Sequence, residues 1–232
     1  WTKAALLFPF MRNHTMTGSR RQEPWAFDDR VLSITRRFIQ LRYRLRPYLY
    51  ELFIRHERTG EAVLRPLFYD FPQDRRLDET ADQLMAGPAL MHAPFVREAE
   101  EEREVLLPPG WWYALDEGQW VEGGGVAIRR KRDESSPLFV RASSVVPMSF
   151  AEEGSHQWTG AAVELWVFPD PGGTAGAHAA RGEYGWDDGI SFAYREGLES
   201  RVKITARIED AKLELSLVHE RAGAGRLTPS FV

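Results

Sequence analysis

The sequence contains no cysteine, which excludes a disulfide framework and any metal site built on thiolates. Lysine is also scarce: of the 30 basic residues 4 are lysines and 26 are arginines, a bias that we attribute to genome composition. The longest apolar run, residues 4–11, is far shorter than the ~20 residues that a membrane-spanning helix needs. We therefore expect no membrane partner.

The patterns that mark metal and cofactor sites are missing as well. The 6 histidines are scattered, without the one-turn spacing that a zinc hydrolase site requires. Four aspartates, Asp70, Asp74, Asp78 and Asp82, recur at a spacing that does not fit a calcium loop, and we interpret them as a solvated face. Gly123–Gly125 lacks the lysine and helix of a phosphate loop. The sequence predicts no metal and no cofactor.

What is present is the composition of a folded protein. Its 232 residues are 43% apolar, with a net charge of −4, which favours a buried core and no nucleic-acid partner overall. The charge is uneven, because residues 1–60 hold 12 basic and 5 acidic side chains. An arginine-rich helix in this part could alternatively form a nucleic-acid-binding surface, because such binding is driven by neutralised phosphates. We favour a helix packed on one face, with its arginines solvated or salt-bridged.

That helix is predicted by apolar residues at steps of three and four. Asp28 or Asp29 is the expected N-cap, and Gly60 is placed to end the helix. Pro47 should kink or break it, since proline removes a helical hydrogen bond. The stripe comprises Val31, Ile34, Phe38, Leu41, Leu45, Leu49 and Leu52.

Before the helix, Phe8–Arg12 is predicted to form a short strand that ends in a polar loop reaching Trp25. Arg12 and His14 share a strand parity, so both side chains can point into one pocket at the end of a barrel strand. The alternative is a structural or surface histidine. For Trp25, stacking on a sugar and ordinary packing are equally favoured.

After residue 60 the pattern changes to short strands separated by proline, glycine and serine turns, which is typical of antiparallel sandwiches. The first set of runs is Ala89–Val96, Glu104–Leu107, Trp111–Leu115, Gln119–Val121, Val126–Arg130, Leu138–Arg141 and Ser144–Met148. The second set is Ala162–Phe168, Glu183–Trp186, Ile190–Tyr194, Arg201–Ile208 and Lys212–His219, with Asp187-Asp188-Gly189 as a hairpin turn.

Several ordered motifs resemble glycoside hydrolase family 31, the α-glucosidase family, in a bacterial form. They run from Trp1 to about Tyr194. They are Phe8-Pro9-Phe10-Met11-Arg12-Asn13-His14, Gln22-Glu23-Pro24-Trp25, Leu41–Tyr50, Arg65-Pro66-Leu67-Phe68, Gly87-Pro88-Ala89-Leu90, Leu107–Tyr113, Val140-Arg141-Ala142 and Asp187-Asp188-Gly189 with Ser191 and Tyr194.

The resemblance implies a multidomain fragment: an α/β part, the last βα unit of a TIM barrel, followed by all-β sandwich domains. Residues 1–60 would end the (β/α)₈ catalytic barrel, 61–152 would form the proximal β-sandwich, and 153–232 the distal one, either whole or incomplete. The family is retaining and uses two aspartates, both on earlier barrel strands. No catalytic residue is therefore expected in this chain, which alone should be inactive. His14 matches a histidine that binds sugar hydroxyls, and Arg12 a nearby arginine that shapes the pocket.

Two positions depart from the family pattern. Ser143 stands where glycine is usual, and Trp186 where an acidic residue is common. The implied function is part of an exo-acting α-glucosidase whose partners are an α-glucoside or oligosaccharide and the upstream barrel. The alternatives are an α-xylosidase, sulfoquinovosidase or transglycosylase, or a non-catalytic carbohydrate-binding or scaffolding module. We expect a cytoplasmic location, and a homo-oligomeric state is left open.

Overall fold

The computed structural model of the chain describes residues 1–150, 162–173, 178–209, 212–221 and 230–231. Two consecutive helices, α1 (Asp29–Arg44) and α2 (Arg46–Thr59), follow an irregular N-terminal segment. Apart from short helical turns, the other regular structure of these described ranges is β, arranged in two six-stranded sheets and one two-stranded sheet. No helix of the described residues is long and apolar enough to cross a membrane.

The helix ends follow the predicted signals. The Asp28 carboxylate accepts a hydrogen bond from the Val31 amide at 2.7 Å, which satisfies one of the free N–H groups of α1. Leu45 separates the two helices, and Pro47 lies in the first turn of α2, where a missing N–H costs nothing. Gly60 ends α2 with a left-handed φ of 75°. The predicted break at Pro47 and stop at Gly60 are confirmed.

The first sheet is built from strands that follow α2. The eight strands of this part, with the short helix α3 (Leu67–Asp70) after the first, are β1 (Leu64–Pro66), β2 (Leu84–Ala86), β3 (Leu90–His92), β4 (Glu102–Leu106), β5 (Trp111–Ala114), β6 (Gln119–Glu122), β7 (Val126–Arg130) and β8 (Leu138–Arg141). The sheet order is β1-β2-β3-β8-β5-β6, and β4 pairs with β7 in the two-stranded sheet. All these pairings are antiparallel, as predicted for this part of the chain.

Both faces of the first sheet are buried, because successive side chains along a strand point to opposite sides. On one side, Leu90, Leu138 and Val140 join a core with the helices, including Leu45 and Leu49. The opposite side joins a second core with α3 and β4, formed by Leu67, Phe71, Leu77, Met85, Met91, Ala93, Val105, Leu107, Trp112, Ala114 and Phe139.

The second sheet begins with β9 (Ser144–Met148), which leaves the first sheet immediately after β8. It continues with β10 (Ala162–Phe168), β11 (His178–Trp186), β12 (Ser200–Glu209), β13 (Lys212–Arg221) and β14 (Ser230–Phe231), in the order β13-β12-β11-β9-β10-β14. Strand β9 lies within the range predicted for the proximal sandwich, yet it pairs in this sheet. The predicted domain limits at 60 and 152 stay a prediction.

The conformation of Ser143, which with Ala142 connects β8 to β9, shows why glycine suits this position. Ser143 has φ = 62°, and it is the single non-glycine residue of the described chain in the left-handed region. Glycine adopts this backbone conformation without steric cost because it has no Cβ atom, whereas a residue with a side chain is strained in it. The second departure, Trp186, is buried and stacks on Tyr184 with 5.1 Å between ring centroids.

Two predicted strands are wrong. Phe8–Arg12 forms no strand, because no other described strand lies beside it to accept its hydrogen bonds. Ile190–Tyr194 is also not a strand: a 3₁₀ turn begins at Ala193 instead. Gly189 has the expected positive φ of 68°, but Asp187 opens a long connection to β12 rather than a tight hairpin.

Candidate functional site

The predicted site residues lie in an exposed stretch of the N-terminal segment. Both Arg12 and His14 are exposed to solvent. The Arg12 guanidinium lies over the ring of Phe10, 5.1 Å from its centroid. The structure does not bring Arg12 and His14 into a closed pocket, since neither lines either of the two cavities described below. Their role in substrate binding stays a prediction.

Short-range hydrogen bonds shape the loop that carries His14. The Asn13 side-chain amide donates to the Gln22 carbonyl at 3.0 Å, which draws together two ends of the loop. Between them the Ser19 amide donates to the Met16 carbonyl at 3.0 Å, and Gly18 adopts the positive φ of 86° that this turn requires. His14 therefore sits on a loop closed by its own neighbours.

Arg42 of α1 holds the segment that leads into this loop. Its guanidinium donates to the carbonyl of Leu6 at 2.7 Å and to that of Pro9 at 3.2 Å. Burial lowers the pKa of Arg42 below its ordinary value. These bonds fix the backbone immediately before Arg12 against the helix behind it.

Sequence reasoning missed Arg42, and no local signal distinguishes it from the exposed Arg36 and Arg37. Its carbonyl partners lie more than thirty residues away in sequence, so only the folded chain reveals the contact. Two other arginines of α1 reach distant acids: Arg30 pairs with Asp133, and Arg44 pairs with Glu164 at 2.7 Å. The prediction of salt-bridged arginines on this helix is confirmed for these two.

A cavity of about 1090 Å³ lies along α1, between the N-terminal segment and the first sheet. Trp25, Tyr43 and Arg132 contribute to its wall, as does Asp116, whose pKa burial raises. Neither Arg12 nor His14 lines it. Trp25 therefore lines a cavity and is not packed in a core. Its exposure argues against ordinary packing and leaves stacking on a sugar as the prediction.

The N-terminal segment exposes large apolar side chains, which in folded proteins are usually buried. Trp1, Phe10, Met16 and Trp25 are between 66% and 90% exposed. Ile39 and Tyr43, one helical turn apart on α1, are exposed as well. Trp25, Ile39 and Tyr43 line the same cavity, and exposed apolar patches mark sites of contact with other molecules. We refer to these six residues as the open face.

No group of three acidic or histidine side chains in the described ranges is arranged to hold a metal ion. His92 is fully buried, and its Nε2 lies 2.8 Å from the Ser136 hydroxyl. Burial and the nearby Arg103 lower the pKa of His92 to about 3, so it stays neutral. His92 is therefore a structural histidine.

Comparison with known families places both parts of the chain in one family. Residues 1–52 match the glycosyl hydrolases family 31 TIM-barrel domain. Residues 60–146 match the glycosyl hydrolase family 31 C-terminal domain. The two matches follow each other in chain order, and the boundary between them falls at the end of α2.

Individual relatives agree with these matches. The chain is 30% identical to alpha-glucosidase 2 of Bacillus thermoamyloliquefaciens over 202 residues, which is 85% of this chain and 24% of the relative. It is 28% identical to an alpha-xylosidase of Saccharolobus solfataricus over 222 residues, 95% of this chain and 29% of the relative.

Among solved structures, the alpha-xylosidase of Xanthomonas citri aligns with all of this chain, at a TM-score of 0.80 and 28% identity. The chain covers 24% of that structure. It thus spans about a quarter of the length of the relatives that it matches.

Proposed function

This chain belongs to glycoside hydrolase family 31, and we propose that it is the C-terminal part of a retaining, exo-acting α-glucosidase that removes terminal α-linked glucose from oligosaccharides. The observation that carries the proposal is the pair of consecutive matches, a barrel end over residues 1–52 and a C-terminal domain over 60–146. Similarity to an alpha-glucosidase over 85% of the chain supports the same substrate class.

Retaining hydrolysis requires two carboxyl groups ~5–5.5 Å apart, one attacking the anomeric carbon and one donating a proton to the leaving oxygen. We place both on barrel strands upstream of Trp1. The residues of this chain then have two tasks. His14 hydrogen-bonds sugar hydroxyls and Arg12 shapes the pocket, while Arg42 holds the backbone that carries them.

The upstream barrel is the proposed partner of the open face. Exposed tryptophan, phenylalanine and methionine side chains in the N-terminal segment support this docking, because apolar surface of this kind gains free energy when it leaves water. The two parts would form one covalent chain. Their contact would bury the surface that α1 and the preceding loop leave open.

The first experiment compares turnover of an aryl α-glucoside and an aryl α-xyloside by the full-length protein and by this chain alone. We expect activity only in the full-length protein, with the glucoside preferred. Activity of this chain alone would show that our placement of the carboxylate pair is wrong. If neither protein is active, the non-catalytic binding module becomes the better interpretation.

The site assignment has its own test in the full-length protein. His14→Ala should lower kcat/KM by about 100-fold, the equivalent of ~3 kcal/mol of lost hydrogen bonding to the transition state. Arg12→Ala should have a smaller effect. His219→Ala is the matched control, since His219 is an exposed histidine on β13, outside the loop that carries His14. Near-normal kcat/KM for His14→Ala would contradict the assignment.

An α-xylosidase is the second candidate, favoured by a specific observation. The alpha-xylosidase of Xanthomonas citri aligns with the whole chain, and the alpha-xylosidase of Saccharolobus solfataricus with 95% of it. A preference for the aryl α-xyloside in the experiment above would select it.

Three further expectations stay predictions: the bacterial origin, the cytoplasmic location and any homo-oligomeric state. Cell fractionation tests the location, and light scattering of the full-length protein tests the oligomeric state.

A further inference from the structure

A second cavity, of about 690 Å³, lies where α2, the first sheet and the second sheet meet. We call it the junction cavity. Its wall includes Glu51 of α2, Trp111 of β5, Ser143 between the sheets, and Arg181 and Glu183 of β11. Its volume is within the ~300–1,000 Å³ that small-molecule sites usually have. The open face and the predicted loop of His14 are not part of it.

Glu51 is the most unusual residue of this wall. Its side chain is 4% exposed, and neither carboxylate oxygen has a hydrogen-bond partner among the described residues. Buried polar atoms in folded proteins are nearly always hydrogen-bonded, so an unpartnered buried carboxylate needs an explanation. Burial and the nearby Glu183 raise the pKa of Glu51 to about 7. A ligand that brings hydroxyl donors would satisfy these oxygens.

Glycines on β11 create the room for this carboxylate. A Cβ atom at Gly185 would stand 2.6 Å from Glu51 Oε2 and 2.8 Å from the Cδ1 atom of Ile54. A Cβ atom at Gly182 would collide with the carbonyl of Val145. Helix α2 and strand β9 can therefore approach β11 closely, which brings Glu51 to the cavity wall.

The charges of the wall have both signs. Arg55 is paired with Glu61 at 2.9 Å, and Lys203 with Glu220 at 2.5 Å. The charges of Arg201, Arg58 and Arg55 lower the pKa of Glu51, but burial and the charge of Glu183 outweigh them. Arg181 is exposed on the wall, and its backbone amide donates to the Ser143 carbonyl at 2.9 Å.

Because the wall of the junction cavity has acidic and basic side chains, it disfavours ligands that carry a net charge. An anionic ligand would meet Glu51 and Glu183, and a cation would meet the basic side chains. A neutral ligand with many hydroxyl groups suits both signs, since a hydroxyl donates to a carboxylate and accepts from a guanidinium. The half-buried indole of Trp111 adds the apolar surface on which a pyranose ring can pack.

We propose that the junction cavity is a second, non-catalytic saccharide-binding site, in which Glu51 accepts hydrogen bonds from sugar hydroxyls, Arg181 donates to them, and Trp111 packs against a ring. The choice of an α-linked glucose oligosaccharide as ligand rests on the proposed function. The site itself rests on the cavity and its residues. It would hold a glucan chain at the junction of the sheets while the barrel acts on an end.

The test is calorimetric titration of maltotriose into the full-length protein with its active site saturated by deoxynojirimycin, the loss of aryl-glucosidase activity confirming saturation. We expect binding that Glu51→Leu and Trp111→Ala each weaken at least about tenfold. Glu51→Leu should not lower the melting temperature, because it removes a buried, unpartnered carboxylate. Glu57→Leu is the matched control: Glu57 is exposed on the same helix, outside the cavity.

Unchanged binding in both variants, or no binding by the inhibited wild type, would overturn the proposal. If Glu51→Leu fails to fold, Trp111→Ala and Arg181→Ala decide alone. The inference and the proposed function fail separately. Activity without Glu51-dependent binding rejects the second site only. Glu51-dependent binding by a protein with no glycosidase activity, titrated without inhibitor, rejects the α-glucosidase and retains the site.

Discussion

Strand β3 of the first sheet and strand β12 of the second sheet are buried in opposite patterns. Strand β3 of the first sheet is buried at every position, because helices cover one face and α3 and β4 the other. Strand β12 of the second sheet alternates instead, with Val202, Ile204 and Ala206 buried between more exposed neighbours. A strand covered on both faces is thus buried continuously, and a strand covered on one face alternates.

Each of the two sheets has a buried titratable side chain in it or beside it. In the first sheet, His92 is neutral; its Nε2 has the Ser136 hydroxyl as a partner, and its Nδ1 has no hydrogen-bond partner within the described residues. Beside the second sheet, the buried Glu51 carboxylate has no hydrogen-bond partner within the described part of the chain. Burial shifts the pKa of both groups, in opposite directions.

The largest expected effect is in the first sheet. Trp112 is fully buried, donates to the Pro108 carbonyl at 2.9 Å and packs on Phe71 at a centroid distance of 5.9 Å. Trp112→Ala should cost about 3–5 kcal/mol, since it leaves a large cavity. Calorimetric melting of the full-length protein measures the loss, and hydrogen exchange should locate it in β3, β5 and β8. A loss below about 1 kcal/mol would show that the core around Trp112 adapts to the missing side chain, and that continuous burial in the first sheet does not imply tight packing.

The second prediction compares the pH dependence of the two buried groups. The folded-state pKa of Glu51 is raised from 4.5 to about 7, so its contribution to stability falls as the pH rises between these values. His92 has the opposite sign: its folded-state pKa is lowered from 6.5 to about 3, so its contribution is present above pH 6.5 and is lost as the pH falls towards 3.

Glu51→Gln should therefore stabilise the protein little at pH 4.5 and by up to about 3 kcal/mol at pH 8. Melting temperatures of the variant and the wild type at these two pH values provide the measurement. If the difference in melting temperature between the variant and the wild type is the same at pH 4.5 and pH 8, Glu51 is not desolvated in the folded protein.

Much of the fold could be predicted from local pattern. The strands Val126–Arg130, Leu138–Arg141, Ser144–Met148 and Ala162–Phe168 have the predicted limits, because proline, glycine and serine turns bound them. The failures are segments whose conformation depends on distant partners. Phe8–Arg12 has strand composition but no described neighbour to pair with.

The same reason limits the prediction of sites. Arg42, Glu51 and Gly185 are three of the most informative residues of the structure, and none stands out in the sequence. Arg42 acts on carbonyls far upstream, and Glu51 becomes unusual only because Gly185 lets β11 approach it. Arg12 and His14 stand out by their place at the end of a predicted strand and by resemblance, and their role awaits the kinetic test.

The third prediction concerns that close approach. Gly185→Ala should cost about 1–3 kcal/mol, because the added methyl group collides with Glu51 and Ile54 in a packed interface. Gly125→Ala is the control, since a methyl group at that position would have no atom within 4 Å and the φ of Gly125 is ordinary. The melting temperatures of the two variants should differ clearly. Equal effects would mean that α2 and β11 separate without cost, and the junction cavity would lose its rigid wall.

The smallest expected effect is at the connection between the two sheets. Ser143 links β8 to β9 with a φ of 62°, a conformation that costs an ordinary residue about 1–2 kcal/mol more than glycine. Ser143→Gly should therefore raise the stability by about 0.5–1 kcal/mol after the greater entropy of glycine in the unfolded chain is subtracted. Ser144→Gly, one residue further on in the buried strand β9, should lower it by a similar amount. Melting temperatures of the two variants provide the measurement. If Ser143→Gly stabilises the protein and Ser144→Gly destabilises it, the strain is confined to Ser143. Two changes of the same sign would show that this connection is not strained.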